Sequence, residues 1–312
     1  MSHTPRSAKH PVNGLLVLDK PSGPTSNGVL QRVKRLYGAA KAGHAGTLDP
    51  MATGLLAICF GEGTKYASGL LEGEKSYSGI IRLGVVTDTG DAEGSVVERH
   101  DVDVAAIDIS RIVQLFSGEV TQIPPNYSAI KVNGRPLYAY AREGKPVAAQ
   151  PRVVRIHALH LQCLPPEDLR FSVTCSSGTY VRSLAEDIGR AIGCGGHLAA
   201  LRRTASGPLN VDEGSTFELL ESLDHAGRLS RLLPPDAPLF ALPALILDSA
   251  AVLALLRGQV VDAPSGASVG KSKVYDQSMH FLGVAEVTAE GRLAPVRLMA
   301  VAQATSHTEN VR

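Results

Sequence analysis

Gly43-His44-Ala45-Gly46-Thr47-Leu48-Asp49-Pro50 sets one carboxylate in a glycine-rich loop directly before an apolar run, Leu55-Leu56-Ala57-Ile58-Cys59-Phe60. Gly43 and Gly46 permit backbone angles that other residues resist. Pro50 pushes Asp49 away from helical geometry toward an extended one. The apolar run reads as a buried strand, so Asp49 is expected on a loop fixed to a rigid scaffold, a common place for chemistry. Taken alone, an Asp-Pro pair reads more simply as an acid that caps the next turn.

The 312 residues allow a large core and two domains. Hydrophobic residues make up 44 % and charged residues 20 %, an ordinary globular balance. The net charge of +1 gives no global basic field, so local charge must carry any nucleic-acid reading. The cysteines Cys59, Cys163, Cys175 and Cys194 form no CxxC pair and read as reduced cytosolic thiols, not disulfide or zinc partners. The histidines show no metal spacing, so no metal or other cofactor is expected. No apolar stretch reaches the length of a membrane span. The N-terminal stretch is polar and basic, unlike a signal peptide. These features predict a cytoplasmic protein with a frayed basic tail over 1–11, and a monomer by default.

Gly14 to Leu18 reads as a strand ended by the turn Lys20-Pro21-Ser22-Gly23-Pro24. A helix follows, with Val29, Leu30, Val33, Leu36 and Tyr37 on one face, a cap at Thr25, Ser26 or Asn27, and Gly38 as stop. Thr64 to Leu71 reads as a short helix, Lys75 to Gly84 as a strand, Asp88 to Gly94 as an acidic loop and Ile107 to Phe116 as a helix. Residues 122–151 are proline-bounded and hold an Asn133-Gly134 turn, Tyr138, Tyr140 and several bases; they read as an insertion with its own hairpin and short helix. Strands resume at Val153 to Leu161 and Leu169 to Cys175, and Tyr180 to Ile192 reads as a helix. The prolines of 232–243 exclude a helix or central strand and mark a linker. Residues 244–303 are long enough for a small domain, and the tail 304–312 reads as loose.

Two motifs invite over-reading. Asp88-Thr89-Gly90 matches an aspartic-protease tripeptide, but such a monomer needs two loops, so an acidic turn is the better reading. Gly266 to Ser272 resembles a phosphate-binding loop but is one residue short between its glycines, and reads as a surface turn. Ser177-Gly178-Thr179-Tyr180-Val181-Arg182-Ser183 lies at a strand-to-helix junction. By itself it is an ordinary helix start with Thr179 as cap and Arg182 solvated. Tyr77 by itself is a half-buried strand tyrosine.

In combination these blocks mean more. Lys20-Pro21-Ser22-Gly23, GHAGTLDPMATGLL, Lys75-Ser76-Tyr77, SSGTYVRSLAEDIG and GCGGHLAALRRT follow one another at compatible spacings from about Asn13 to Ala205. In this the chain resembles the TruB family of bacterial tRNA pseudouridine-55 synthases. Its C-terminal stretch, Phe281 to Arg297, resembles the family's PUA-type RNA-binding domain.

The resemblance implies an α/β (α+β) fold: a mixed, largely antiparallel central sheet flanked by helices, plus a small PUA-like β-rich domain. Periodicity alone predicts only a strand-rich mixed fold. The resemblance implies a catalytic domain over 12–231, with the insertion 122–151 as an RNA clamp, and an RNA-binding domain over 244–303. It implies isomerisation of a flipped-out uridine in the tRNA T-loop, without cofactor or metal. Asp49 would be the essential carboxylate, as nucleophile or as base. Arg182 would pair with it and favour its ionised form. Tyr77 would stack on the uracil and assist proton removal, and Tyr180 and Leu201 would line the pocket. His44 would enter the space left by the nucleotide, and Lys20 would be structural or phosphate-facing. Arg142, Lys145, Arg152, Arg202 and Arg203 are candidate RNA-backbone contacts, each against the plainer reading of a solvated charge. A non-catalytic tRNA-binding or RNA-folding protein is the alternative; it would not need the set Asp49, Tyr77 and Arg182.

Overall fold

The run Leu55–Phe60 is fully buried because it sits inside a sheet with neighbours on both edges. The structure, a computed structural model, describes residues 12–300 apart from Asn126, Ala129, Asn133, Pro146 and Ala148. The expected tails 1–11 and 304–312, and Asn133 of the expected turn, lie outside the described residues.

In chain order the first part holds β1 (Gly14–Lys20), α1 (Ser26–Leu36), β2 (Ala42–Ala45), β3 (Thr53–Phe60), α2 (Ser68–Glu72), β4 (Lys75–Leu83), β5 (Val85–Thr87) and β6 (Val96–Arg99). Then come α3 (Ile109–Leu115), β7 (Gly118–Gln122), β8 (Lys131–Val132), β9 (Arg135–Pro136), α4 (Leu137–Arg142), β10 (Arg152–Leu164) and β11 (Asp168–Cys175). Next are α5 (Val181–Ile192), β12 (Gly196–Ser206), β13 (Leu209–Asn210), α6 (Phe217–Ser222) and α7 (His225–Leu229). The last part holds β14 (Ala244–Ile246), α8 (Ser249–Leu256), β15 (Val261–Asp262), β16 (Gly270–Tyr275), β17 (Phe281–Val287) and β18 (Arg292–Leu298).

The large sheet has nine strands in the order β1-β3-β12-β4-β11-β10-β7, with β2 also on β3 and β13 on β12. Its pairs are antiparallel except β3 with β12. It is therefore mixed and largely antiparallel, as the resemblance implied. Helices α3 and α5 cover the β4, β10, β11 and β12 side with Ile112, Leu184 and Ile188. Helices α1 and α6 cover β1 and β3 with Val29, Val33, Phe217 and Leu220.

The sheet forks beside β3. Ala42 to Ala45 of β2 pair with Phe60 to Ala57, whereas Arg202 and Arg203 of β12 pair with Thr53 and Gly54. Two neighbours thus divide one strand edge, and the Asp49 turn crosses between them.

Local chemistry explains most boundaries. Thr25 is the cap of α1, its hydroxyl accepting from the Gly28 N–H. The single helix expected over Thr64 to Leu71 is instead a 3-10 turn, Gly61–Lys65, followed by α2. Tertiary packing breaks it: Tyr66 turns inward against Phe281 of the C-terminal sheet. The insertion begins at Gln122 and ends beside Arg152, which face each other across β7 and β10. It carries the expected hairpin, β8 with β9, and the short helix α4.

The C-terminal five-stranded sheet runs β14-β16-β17-β18-β15 and is closed by α8. The stretch read as a linker is packed rather than loose. Leu233 bridges to Leu15, and Pro238 and Leu239 are buried in one 3-10 turn against Gly69. Tyr66, Leu239, Val284 and Met299 form an apolar cluster that joins the two sheets' surroundings.

Candidate active site

The Asp49 turn is held from both sides. Before it, the Ser26 hydroxyl donates to Leu48 O and accepts from Leu48 N–H, each at 2.8 Å. After it, the Lys20 ammonium donates to Pro50 O at 3.0 Å and Ala52 O at 2.7 Å. Gly46 takes a left-handed φ of 86°, which a side chain would resist. Gly43 needs no such freedom, because it lies in the β2 ladder opposite Cys59.

Arg182, on the first turn of α5, reaches the carboxylate. Its Nε lies 3.0 Å from Asp49 Oδ2, and its Nη2 lies 3.4 Å from Oδ1. The same guanidinium donates to Tyr127 O at 2.9 Å and Thr89 O at 3.3 Å, and lies 3.5 Å from Asp91 Oδ2. The Arg182 side chain is 7 % exposed and Asp91 5 %, whereas Asp49 keeps 36 % open to the cleft. One buried cation therefore serves two carboxylates, and only one of them faces outward.

Burial pushes the Asp49 carboxyl above its ordinary range, and the nearby Asp91 charge adds to this. Arg182 pulls it down but does not win. Charge proximity alone predicts the opposite direction, because it omits desolvation by the surrounding elements.

Asp49, Tyr77, Tyr180, Arg182 and Leu201 line one cavity of about 310 Å³. Tyr77 comes from β4 and Leu201 from β12, next to each other in the sheet. Tyr180 caps the start of α5, where Gln122 grips its backbone: Nε2 donates to Tyr180 O at 3.2 Å and Oε1 accepts from its N–H at 3.0 Å. Thr179 is not the helix cap; its hydroxyl donates to Ser176 O. A second, larger cavity of about 540 Å³ lies by Tyr66, Phe240 and Val284, away from these acids and bases.

Several expected roles change. Lys20 is fully buried, its ammonium donates to the carbonyls of Pro21, Pro50 and Ala52, and burial lowers its pKa, so in this structure it is a strut under the Asp49 turn. Arg203 is 2 % exposed and faces Leu55 O and Gly46 O, so it cannot touch an RNA phosphate. Arg202 is half-exposed but paired to Asp19 at 2.7 Å. His44 lies on β2 and not among the cavity's lining residues; its Nδ1 is buried without a partner among the described residues. Burial, with the nearby Arg203 charge, lowers the His44 pKa. Arg152 stacks over the Tyr180 ring at 5.4 Å, Lys145 is exposed, and Arg142 ends α4.

Sequence reasoning missed three contributors. Asp91 sits in the acidic turn correctly read as a turn but dismissed with the protease tripeptide; Thr89 and the Glu93 N–H fix its Oδ1. Gln122 and Ser128 lie at the root of the insertion; Ser128 lines the cavity, and its hydroxyl is buried without a partner among the described residues. An acid between two glycines of a turn was the one signal available for Asp91; nothing local marks the other two. Among the described residues, no group of three or more His, Cys, Asp or Glu is placed to hold a metal, and no helix is long and apolar enough to cross a membrane.

The model of the TruB family pseudouridylate synthase N-terminal domain matches residues 34–181. That of the tRNA pseudouridylate synthase B C-terminal domain matches 182–239, and that of the pseudouridine synthase II TruB C-terminal region matches 243–299. The chain is 48% identical over 305 residues to the tRNA pseudouridine synthase B of Burkholderia mallei, covering 96% of this chain and 98% of that one. It is 49% identical over 299 residues to the same-named protein of Chromohalobacter salexigens, covering 95% and 97%. Among solved structures, a Cbf5-Nop10-Gar1 complex matches with a TM-score of 0.70 at 25% identity, over 93% of this chain and 85% of that one. An H/ACA RNP bound to a substrate RNA matches in fold with a TM-score of 0.70 at 22% identity, over 93% and 86%. With the site geometry and these matches over nearly the whole chain, the chain belongs to the TruB family of pseudouridine synthases, isomerases that remake the bond between ribose and uracil.

Proposed function

We propose that this chain isomerises uridine 55 in the T-loop of tRNA to pseudouridine, acting as a cytoplasmic monomer without cofactor or metal. The observation that carries this reading is the Asp49 carboxylate, paired with a buried Arg182 at the mouth of a cavity shared with Tyr77, Tyr180 and Leu201. The target base is stacked inside a folded loop, so it must be flipped into that cavity. There the bond from ribose carbon to base nitrogen breaks, the base turns, and ribose rejoins at the ring carbon. The nitrogen gains a proton and the ring carbon loses one. Asp49 acts on the ribose in its ionised form, whether it attacks carbon or removes a proton. Tyr77, Tyr180 and Leu201 hold the uracil, with Ser128 beside them. Residues 12–231 serve as the catalytic domain, 122–151 as a clamp and 244–303 as an RNA-binding domain. Arg142, Lys145 and Arg152 serve the RNA backbone.

The deciding experiment uses a tRNA transcript carrying tritium at the uracil ring carbon that loses its proton. Stoichiometric release from this RNA, abolished when position 55 is changed to cytidine, is expected. RNA binding without release would support the non-catalytic alternative.

The clamp reading sets a second expectation. Its root is already fastened, by Gln122 to Tyr180, by the Ser183 hydroxyl to Ile123 O and by Arg182 to Tyr127 O. New amide protection on adding tRNA is therefore expected in the outer part, 131–145, and not at 122–123. Equal exchange with and without tRNA would make the insertion a static subdomain.

A further inference from the structure

Arg203 occupies the fork in the large sheet. It stands opposite Gly54 across the parallel pair with β3 and opposite Tyr77 across the antiparallel pair with β4. The fork leaves Leu55 O without a strand neighbour on that edge. The Arg203 side chain fills the place: Nε donates to Leu55 O at 2.7 Å, and Nη2 donates to Gly46 O at 3.1 Å. Directly opposed residues on an antiparallel pair put their side chains on one face, so the Arg203 side chain stands next to that of Tyr77. The approach to Gly46 is close, for a Cβ there would lie 3.3 Å from Nη1. The same side chain therefore fastens the turn that presents Asp49 and neighbours Tyr77 across the sheet.

Its charge is what a purely structural role does not explain. Arg203 is almost wholly buried, and among the described residues no carboxylate forms an ion pair with it. A buried cation without a counter-ion is costly, and an uncharged donor could satisfy the same carbonyls. A fixed charge aimed at an oxygen is useful where negative charge builds up during a reaction, because it needs no reorganisation at that moment.

We propose that Arg203 is a positioning residue for the isomerisation: its buried guanidinium fastens the Asp49 turn to the strand pair that carries Tyr77 and supplies a fixed positive charge beside the Tyr77 side chain. The proposal rests on the tRNA reading above and deepens it. Tyr77 is the group that meets the substrate; Arg203 acts through it.

The test compares Arg203→Lys, which keeps the charge, with Arg203→Gln, which keeps a neutral donor. Single-turnover conversion at saturating tRNA, tRNA affinity and melting temperature are measured for both and for the wild type. Arg203→Gln is expected to react about 100-fold more slowly, and Arg203→Lys within about tenfold of wild type, with tRNA affinity held within about threefold in both. Equal rates for the two variants would overturn the proposal, as would a loss that follows tRNA affinity or melting temperature instead of charge. If Arg203→Gln does not fold, Arg203→Lys decides alone: loss of conversion in a folded variant that binds tRNA normally would overturn the role of charge. Failure of the wild type to convert uridine 55 would instead sink the tRNA reading, so the two failures are distinguishable.

Discussion

Asp49→Asn is expected to lower single-turnover pseudouridine formation by at least about 10⁴-fold, with tRNA affinity within about threefold of wild type. The substitution keeps the shape and removes the charge. No second acid takes over: Asp91 is buried behind Arg182 and is fixed by Thr89 and the Glu93 N–H. The fold is expected to survive, because Arg182 keeps Asp91 and the carbonyls of Thr89 and Tyr127. A shift of melting temperature below about 4 °C checks this. Activity within about tenfold of wild type would remove Asp49 from the chemistry.

Arg182→Met is expected to cost both rate and stability, and to shift the pH profile. It leaves Asp49 and Asp91 without their shared cation, and breaking a buried pair of this kind costs about 3–5 kcal/mol. The single-turnover rate is expected to fall by about 10³-fold at neutral pH, because Asp49 loses both its orientation and its main opposing charge. The sign of the pH effect follows from the raised Asp49 pKa. Only ionised Asp49 is competent, so the wild-type rate falls as pH drops through that raised value. Arg182 is the largest influence holding the value down, and Asp91 raises it. Without Arg182 the acidic limb therefore moves to higher pH. The stability linkage has the opposite sign: native Asp49 binds its proton more tightly than the unfolded chain does. Its ionisation thus weakens the fold above the native pKa, and acid relieves that penalty. Arg182→Lys restores charge without the planar fork and is expected to recover part of the rate. Rate–pH profiles at saturating tRNA for both variants test this. Coincident acidic limbs for Arg182→Met and wild type would show that Arg182 does not control the ionisation of Asp49.

Much of this molecule was legible in the chain because its signals are local. The apolar run ending at Phe60, the face of α1 from Val29 to Val33 and the Thr25 cap each depend on neighbours within a few residues. The blocks around Asp49, Tyr77 and Arg182 were legible as a set, since their order and spacing carried the family resemblance. Asp91 was not, because its value comes from a guanidinium ninety-one residues further along the chain (Arg182), brought alongside by α5 and the acidic turn.

The sequence by itself determined which residue types are present for chemistry and most of the segments that form strands and helices, though not Thr64 to Leu71, which tertiary packing breaks. Tertiary structure alone decided which charges face solvent. Arg202 and Arg203 are adjacent and chemically identical, yet alternation along β12 sends one to Asp19 at the surface and the other into the fork beside Tyr77. Lys20 reads as a turn lysine and becomes a buried strut because the chain places Pro50 O and Ala52 O around it. The Asp49 carboxyl rises because elements distant in sequence strip water from it, and desolvation outweighs the neighbouring cation. Burial depends on what packs from elsewhere in the chain, so no local run of residues announces it.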